Sequence, residues 1–455
     1  MSERKLFGTD GIRGKANVHP MTGVMAFQLG RAVTDYFQRK FQRNKKPLII
    51  VGKDTRLSCY MLEQAFASGV CSQGGRAVLT GPLPTPGVAF VTKSMRADAG
   101  VMISASHNSF EDNGIKIFDA HGLKLPDEVE LEIEHLVLDP ALMPVKVDGE
   151  LGHTKRLDEV FGRYLVHAKS ALSNNFDMEG MRVVLDCANG AAYKVAPMIF
   201  RELGAEVFTL GVSPDGTNIN HECGSLYPQK AQEMVKTYRA DLGVCLDGDA
   251  DRVVIIDGQG KVVDGDKLIA LFAKLLMDQG SLKKGDRVIG TVMSNLGLEV
   301  YIKSLGLEFV RTKVGDRYII EEMHKTGALL GGEPSGHIIM GGHATTGDGA
   351  MAALKIVEAI HFYKKPIHEI LSNFSLYPQI LKNIVVKRRE PLDGLPEVQK
   401  VLKEAEAQMG AKGRVVLRYS GTEPLVRVMV EGEDEGLVRR TCDGLARAVS
   451  DSLGK

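Results

Sequence analysis

The chain has 455 residues, 57 basic and 57 acidic side chains, and 44% hydrophobic residues. This length predicts roughly three domains or more, and the balanced charge argues against bulk nucleic-acid binding, which usually shows a basic domain. A small anionic ligand stays within reach, because a local cluster of arginine and lysine suffices to hold one.

The opening MSERKLFGTD is charged and has no apolar core, so it does not read as a signal peptide. The most apolar helical stretch, 268–277, is too short to span a bilayer and contains Lys274. None of the six cysteines forms a C-x-x-C pair, as expected of scattered thiols in a reducing cytosol. A cytoplasmic protein with no membrane or nucleic-acid partner is expected.

In chain order, FGTDGIRG (7–14) reads as a tight glycine loop that exposes Arg13 to an anion. A strand over 47–52 precedes KDTR, then come a helix over 58–73, a short strand over 77–80 and the loop GPLPTP. RADAGVMIS (96–104) carries an apolar strand into Ser104, Ser106 and His107. Small hydroxyl residues after such a strand sit where α/β proteins place chemistry. A serine beside a histidine is a candidate nucleophile with a proton handler, and the residues alone do not choose between the two serines.

The middle of the chain repeats this layout. Strands over 181–185 and 206–210 and the loop SPDGTNIN lead to RADLGVCLD (239–247), which shares Arg-Ala-Asp-x-Gly-Val with the first copy. A third, more divergent copy has strands over 287–290, 307–310 and 327–330, with KVGDRY between the last two and GGEPSGH at the end. Each copy reads strand–helix–strand–loop–helix–strand, a wound α/β layer. The tail, with strands over 384–386, 414–419 and 426–431 and helices over 397–408 and 435–453, reads as a small α+β domain of split β-α-β order.

Corresponding strand ends therefore carry different chemistry. In DGDADR, Asp247, Asp249 and Asp251 would repel one another without a cation, and a hard ion such as magnesium takes oxygen ligands of this kind. In GGEPSGH, Glu333 and Ser335 offer an acceptor and a donor among glycines. In the tail, Ser420, Gly421 and Thr422 with Arg418 and Arg427 have the composition of a phosphate cradle. Together these point to phosphoryl transfer on a phosphorylated, hydroxyl-rich small molecule.

Nine motifs in order, FGTDGIRG, GKDTR, TGPLPTP, ISASHN with DNGIK, DCANGAA, DGDADR, KVGDRY, GEPSGH and RYSGTEPLVRVMVEG, resemble the α-D-phosphohexomutase superfamily over essentially the whole chain, and within it the branch acting on glucosamine phosphates. The resemblance implies three related α/β/α domains with mixed sheets (1–155, 156–262 and 263–375) and a smaller C-terminal α+β domain (376–455). It implies that Ser106 is the phosphoserine. One Mg2+ per subunit would be held by Ser106, Asp247, Asp249 and Asp251. Glu333 and Ser335 would bind sugar hydroxyls, and Arg418, Ser420, Gly421, Thr422 and Arg427 the phosphate that is not reacting. Arg13, His107, Lys116, Arg252, Lys313 and His337 would bind anion or move protons.

The implied reaction interconverts glucosamine 6-phosphate and glucosamine 1-phosphate through a glucosamine 1,6-bisphosphate, feeding UDP-N-acetylglucosamine and cell-wall precursors. Ser106 would be primed by a kinase or by the bisphosphate, and the resemblance leaves a homodimer open. A sibling mutase acting on mannose or glucose phosphates is the alternative, and a non-catalytic sugar-phosphate binder the reading from another class. Two departures stand out: Ser109 where the family usually has proline, bearing on loop rigidity, and Pro334 where it usually has a side-chain amide or Met, bearing on sugar choice.

Overall fold

The computed structural model describes residues 4–8, 10–41, 45–173, 176–388, 390–420 and 425–454. Its first three sheets are built on one plan. In the first, strand Leu48–Lys53 lies between Arg76–Pro82 and Ala99–Ile103, all parallel, and Asp112–Asp119 returns antiparallel beside Ala99–Ile103. In the second, Arg182–Asp186 lies between Glu206–Leu210 and Leu242–Leu246, with Val253–Asp257 returning antiparallel. In the third, Arg287–Thr291 lies between Glu308–Thr312 and Leu330–Gly332, with Ile338–Met340 returning. The internal repeat is thus a repeat of sheet topology. The fourth, returning strand is an addition to the pattern expected from sequence.

Ala99–Ile103 and Leu242–Leu246 are buried at every position. Strands covered on both faces read as unbroken apolar runs, which is why the sequence marked them. One expectation needs correction: the strand placed at 327–330 begins at Leu330. Helix Asp316–Thr326 stops on Gly327, whose φ of 73° is the left-handed cap that glycine adopts at little cost, so residue 327 closes a helix.

One hydrophobic core runs through all three units, joining Ile50 and Val88 of the first, Val183 and Val244 of the second, and Leu268 and Val357 of the third. Two helices of that core region and one of the tail carry acidic N-caps: Asp264 accepts from the Asp266 N–H and Asp348 from Met351, and in the tail Asp434 accepts from Leu437. Each such cap contributes about 1 kcal/mol. The shared core fixes the strand ends of the three units close together, which lets loops far apart in sequence meet.

The tail is a three-stranded antiparallel sheet, Gln379–Val385, Leu425–Gly432 and Gly413–Tyr419 in spatial order, under helices Pro396–Met409 and Glu435–Leu453. It has its own core, including Val398, Val428 and Leu445. Arg414 Nη2 reaches the Ser294 carbonyl at 2.6 Å and Glu431 accepts the Leu296 N–H at 3.0 Å, fastening it to the third unit. The fold is α/β, as expected, with mixed sheets and a distinct C-terminal unit. All six cysteines are free, and among the described residues no helix is long and apolar enough to cross a membrane.

Candidate active site

Strand Ala99–Ile103 delivers the serine loop, with Ser104 and Ser106 both buried. Ser106 has φ 52°, a left-handed backbone that costs an L-residue about 1–2 kcal/mol. Such strain persists where the surroundings over-determine it, commonly at functional sites. The two serines face different neighbours. Ser106 Oγ donates to Asp247 Oδ2 at 2.6 Å, whereas Ser104 Oγ accepts the Ser106 N–H at 2.9 Å. His107 Nδ1 lies 3.5 Å from the Ser106 hydroxyl. Burial, then the charges of Arg252 and Arg13, lower the His107 pKa to about 4, so the imidazole is neutral at pH 7.

Asp247, Asp249 and Asp251 follow strand Leu242–Leu246 directly, are all buried, and each offers an oxygen within 4.8 Å of the others. Burial and then the charges of Asp251 and Asp249 push Asp247 well above the usual carboxylate range. Burial acts the same way on Asp251, but Lys116 and His337 outweigh it and hold that carboxyl well below the range.

Lys116 Nζ stands 3.0 Å from Asp249, 3.3 Å from Asp251 and 3.3 Å from Asp10. Burial disfavours its charge, yet these carboxylates raise its pKa well above the ordinary lysine value. Even so, Asp249 Oδ1 and Asp251 Oδ1 are buried without a hydrogen-bond partner. Buried oxygens left unsatisfied carry a free-energy cost, and an all-oxygen set of three carboxylates suits a hard divalent cation such as magnesium.

Arg13, Ser106, His107, Asp251, Arg252, Glu333 and His337 line a cleft of about 410 Å³ where the first three units meet. Glu333 accepts the Gly315 N–H at 3.0 Å and the Ser335 hydroxyl at 3.3 Å. His337 is buried against Asp251 and Asp316, at 3.7 and 3.5 Å; burial opposes its charge but these carboxylates raise its pKa above the ordinary value. Lys313 and Ser335 are exposed and stand outside the cleft lining.

The tail residues stand outside that lining too. Arg418 and Arg427 face each other across strands Gly413–Tyr419 and Leu425–Gly432, and Ser420 is buried beside them in the chain. Directly opposed like charges destabilise a sheet, so this pair is an arrangement that an anion would relieve. Burial, then Arg427, lowers the pKa of Arg418. Gly421 and Thr422 lie outside the described residues.

Sequence reading missed an ion network that ties the units together. Lys124 is ion-paired with both Asp10 and Asp316, the latter at 2.6 Å, and so links the first unit to the third. Asp10 also pairs with Arg13. Lys124 lies outside the motifs, and Asp10 and Asp316 stand inside FGTDGIRG and KVGDRY, where the sequence reading gave them no role.

Four segments match the phosphoglucomutase/phosphomannomutase domains: alpha/beta/alpha domain I over 4–141, domain II over 162–260, domain III over 264–377 and the C-terminal domain over 381–448. The chain belongs to the phosphoglucomutase/phosphomannomutase family. Among members of this family, a phosphoglucosamine mutase of Citrifermentans bemidjiense is 50% identical over 452 residues, 99% of each chain. That of Myxococcus xanthus is 50% identical over 454 residues, 99% of this chain and 98% of its own. Such identity over the full length sets the chain with the phosphoglucosamine mutases of the superfamily. The family fold is shared with a Burkholderia thailandensis phosphoglucomutase/phosphomannomutase family protein, at TM-score 0.82 and 22% identity over 98% of this chain and 97% of the other. It is shared too with the N-acetylphosphoglucosamine mutase of Aspergillus fumigatus, solved with GlcNAc-6P and magnesium, at TM-score 0.70 and 17% identity over 99% and 96%.

Proposed function

We propose that this chain is an isomerase that moves a phosphoryl group between the 6- and 1-positions of glucosamine phosphate, using Ser106 as the carrier. The observation that carries this reading is the Ser106 hydroxyl on Asp247, 2.6 Å away, at the head of three buried carboxylates beside a cleft lined by Arg13, Arg252, Glu333 and His337. The full-length identity to phosphoglucosamine mutases supports the sugar.

Asp247, Asp249 and Asp251, with the Ser106 phosphate, would hold the magnesium ion. When bound, such an ion neutralises charge on phosphoryl oxygens and polarises the phosphorus. In the first half-reaction the bond from phosphorus to Ser106 Oγ breaks and one to a sugar hydroxyl forms. The hydroxyl proton leaves and the serine oxygen regains one. His107, neutral and 3.5 Å from Ser106 Oγ, is placed to take and return that proton. Arg13, Lys116 and Arg252 supply positive charge to offset the negative charge that spreads over the transferring group. Glu333 orients the sugar, and its carboxylate is an acceptor for the 2-amino group. The bisphosphate must then turn so that its other phosphate faces Ser106, and a bisphosphate or a kinase would supply the first phosphate. Arg418 and Arg427, with Ser420, Gly421 and Thr422, would hold whichever phosphate is not reacting.

Two measurements test the substrate side. A site that hydrogen-bonds a substrate group rejects analogues lacking it, so kcat/KM for glucosamine 6-phosphate should exceed that for glucose or mannose 6-phosphate by about tenfold or more. A clear win for either neutral sugar would make the chain a phosphomannomutase or phosphoglucomutase instead. Arg427→Ala removes a charge-assisted bond of about 1.5–3 kcal/mol, so KM should rise roughly tenfold or more. Unchanged KM and kcat would leave the arginine pair without a role in binding.

A further inference from the structure

The left-handed turn at Ser106 is held by side chains from two units. Arg56 Nη2 donates to the carbonyl oxygens of Ser106, at 3.1 Å, and Asn108, at 2.6 Å. Asn220 Nδ2 donates to the same two oxygens, at 2.9 and 2.9 Å. Arg56 Nε also lies 3.4 Å from the Ser109 carbonyl. Arg56 is wholly buried and ion-paired with Asp54; Asn220 is 6% exposed, and its own N–H is bonded to Ala188 O at 2.9 Å. Neither side chain lines the substrate cleft. The metal-loop backbone presses on the same point: a Cβ at Gly248, between Asp247 and Asp249, would meet Ser106 O at 2.5 Å.

This convergence meets a specific need. A phosphorylated Ser106 carries a charge of about −2 beside three carboxylates. A serine in the left-handed region relaxes readily to an ordinary backbone angle, which would swing the phosphate off Asp247. The loop has Ser109 where a proline would stiffen it, so the restraint comes from outside the loop.

We propose that Arg56 and Asn220 are positioning residues for phosphoryl transfer, clamping the Ser106 and Asn108 carbonyls so that Ser106 Oγ keeps its place through both halves of the reaction. The proposal rests on Ser106 being the carrier. It makes the geometry of a nucleophile in the first unit depend on a residue of the second.

The test uses the full chain with Mg2+ and starts from intact mass after incubation with glucosamine 1,6-bisphosphate. Wild type without phosphate on the 103–116 peptide would sink the carrier reading, and this proposal with it. With wild type phosphorylated, Asn220→Ala is compared at equal phosphate occupancy by single-turnover transfer to glucosamine 6-phosphate. Because small misplacements of reacting atoms are costly, transfer should slow by about ten- to a hundredfold, with KM within about twofold. Arg56→Lys keeps the charge but loses the planar fork, so it should slow transfer too. The double variant should lose less than the product of the single effects, since both donors serve the same oxygens. A merely structural role would lower the melting temperature or the folded fraction and leave transfer per phosphorylated molecule untouched. That last result in Asn220→Ala, which changes a neutral side chain at a loop position, would overturn the proposal even if the Arg56 variant fails to fold.

Discussion

Replacing Ser106 with alanine is expected to abolish turnover, by on the order of 10⁴-fold or more, and to remove the phosphate from the 103–116 peptide. The size follows from the kind of group removed. A nucleophile that carries the transferred group has no substitute in a cleft lined by carboxylates and cations, whereas loss of one hydrogen bond leaves the pathway intact. Ser104→Ala is the informative companion. Ser104 Oγ accepts the Ser106 N–H at 2.9 Å and faces none of the aspartates, so its removal loosens the turn without removing the acceptor of phosphate. It should retain measurable turnover and the phosphopeptide. The reverse pattern, with Ser104→Ala dead and Ser106→Ala active, would move the carrier to Ser104 and overturn the reading of the site.

Thorough chelation of divalent metal should silence the wild-type protein, and Asp249→Asn should cut kcat by on the order of 10²–10⁴-fold, corresponding to several kcal/mol of lost charge stabilisation. Removing one of three crowded buried carboxylates relieves repulsion, so the fold should tolerate the change. Asp249 also anchors Lys116 at 3.0 Å and the Thr85 hydroxyl at 2.6 Å, and asparagine keeps an oxygen for such contacts. The measurements are magnesium titration calorimetry, steady-state rates and thermal melting on the same preparation. Full activity after chelation would remove the metal from the mechanism, and Mg2+ affinity unchanged in Asp249→Asn would remove Asp249 from its ligands.

The sequence was sufficient for what is local. The apolar runs before Ser104 and Asp247 break abruptly into polar residues, and a fully buried strand followed by its functional loop leaves that trace in any α/β unit. The repeat of Arg-Ala-Asp-x-Gly-Val was legible for the same reason, since each copy solves the same packing problem with the same short pattern. Glycine at 327 was the local signal misread: its left-handed φ belongs to a helix end, and apolar neighbours alone could not tell that from a strand.

Tertiary structure decided what depends on distance. Nothing in the residues around Ser104 and Ser106 ranks them; what sets them apart in the fold is Asp247, 141 positions along the chain, which meets one hydroxyl and not the other. Lys124 between Asp10 and Asp316, and Arg56 with Asn220 on the Ser106 carbonyl, are likewise pairings between segments far apart in the chain. The opposition of Arg418 and Arg427 depends on strand register, which a one-residue slip would undo. Periodicity records which way a side chain faces relative to its own backbone. Which partner it meets depends on how the three units pack around their common core, and that information resides in the summed burial of many residues, not in the segment that bears the functional group.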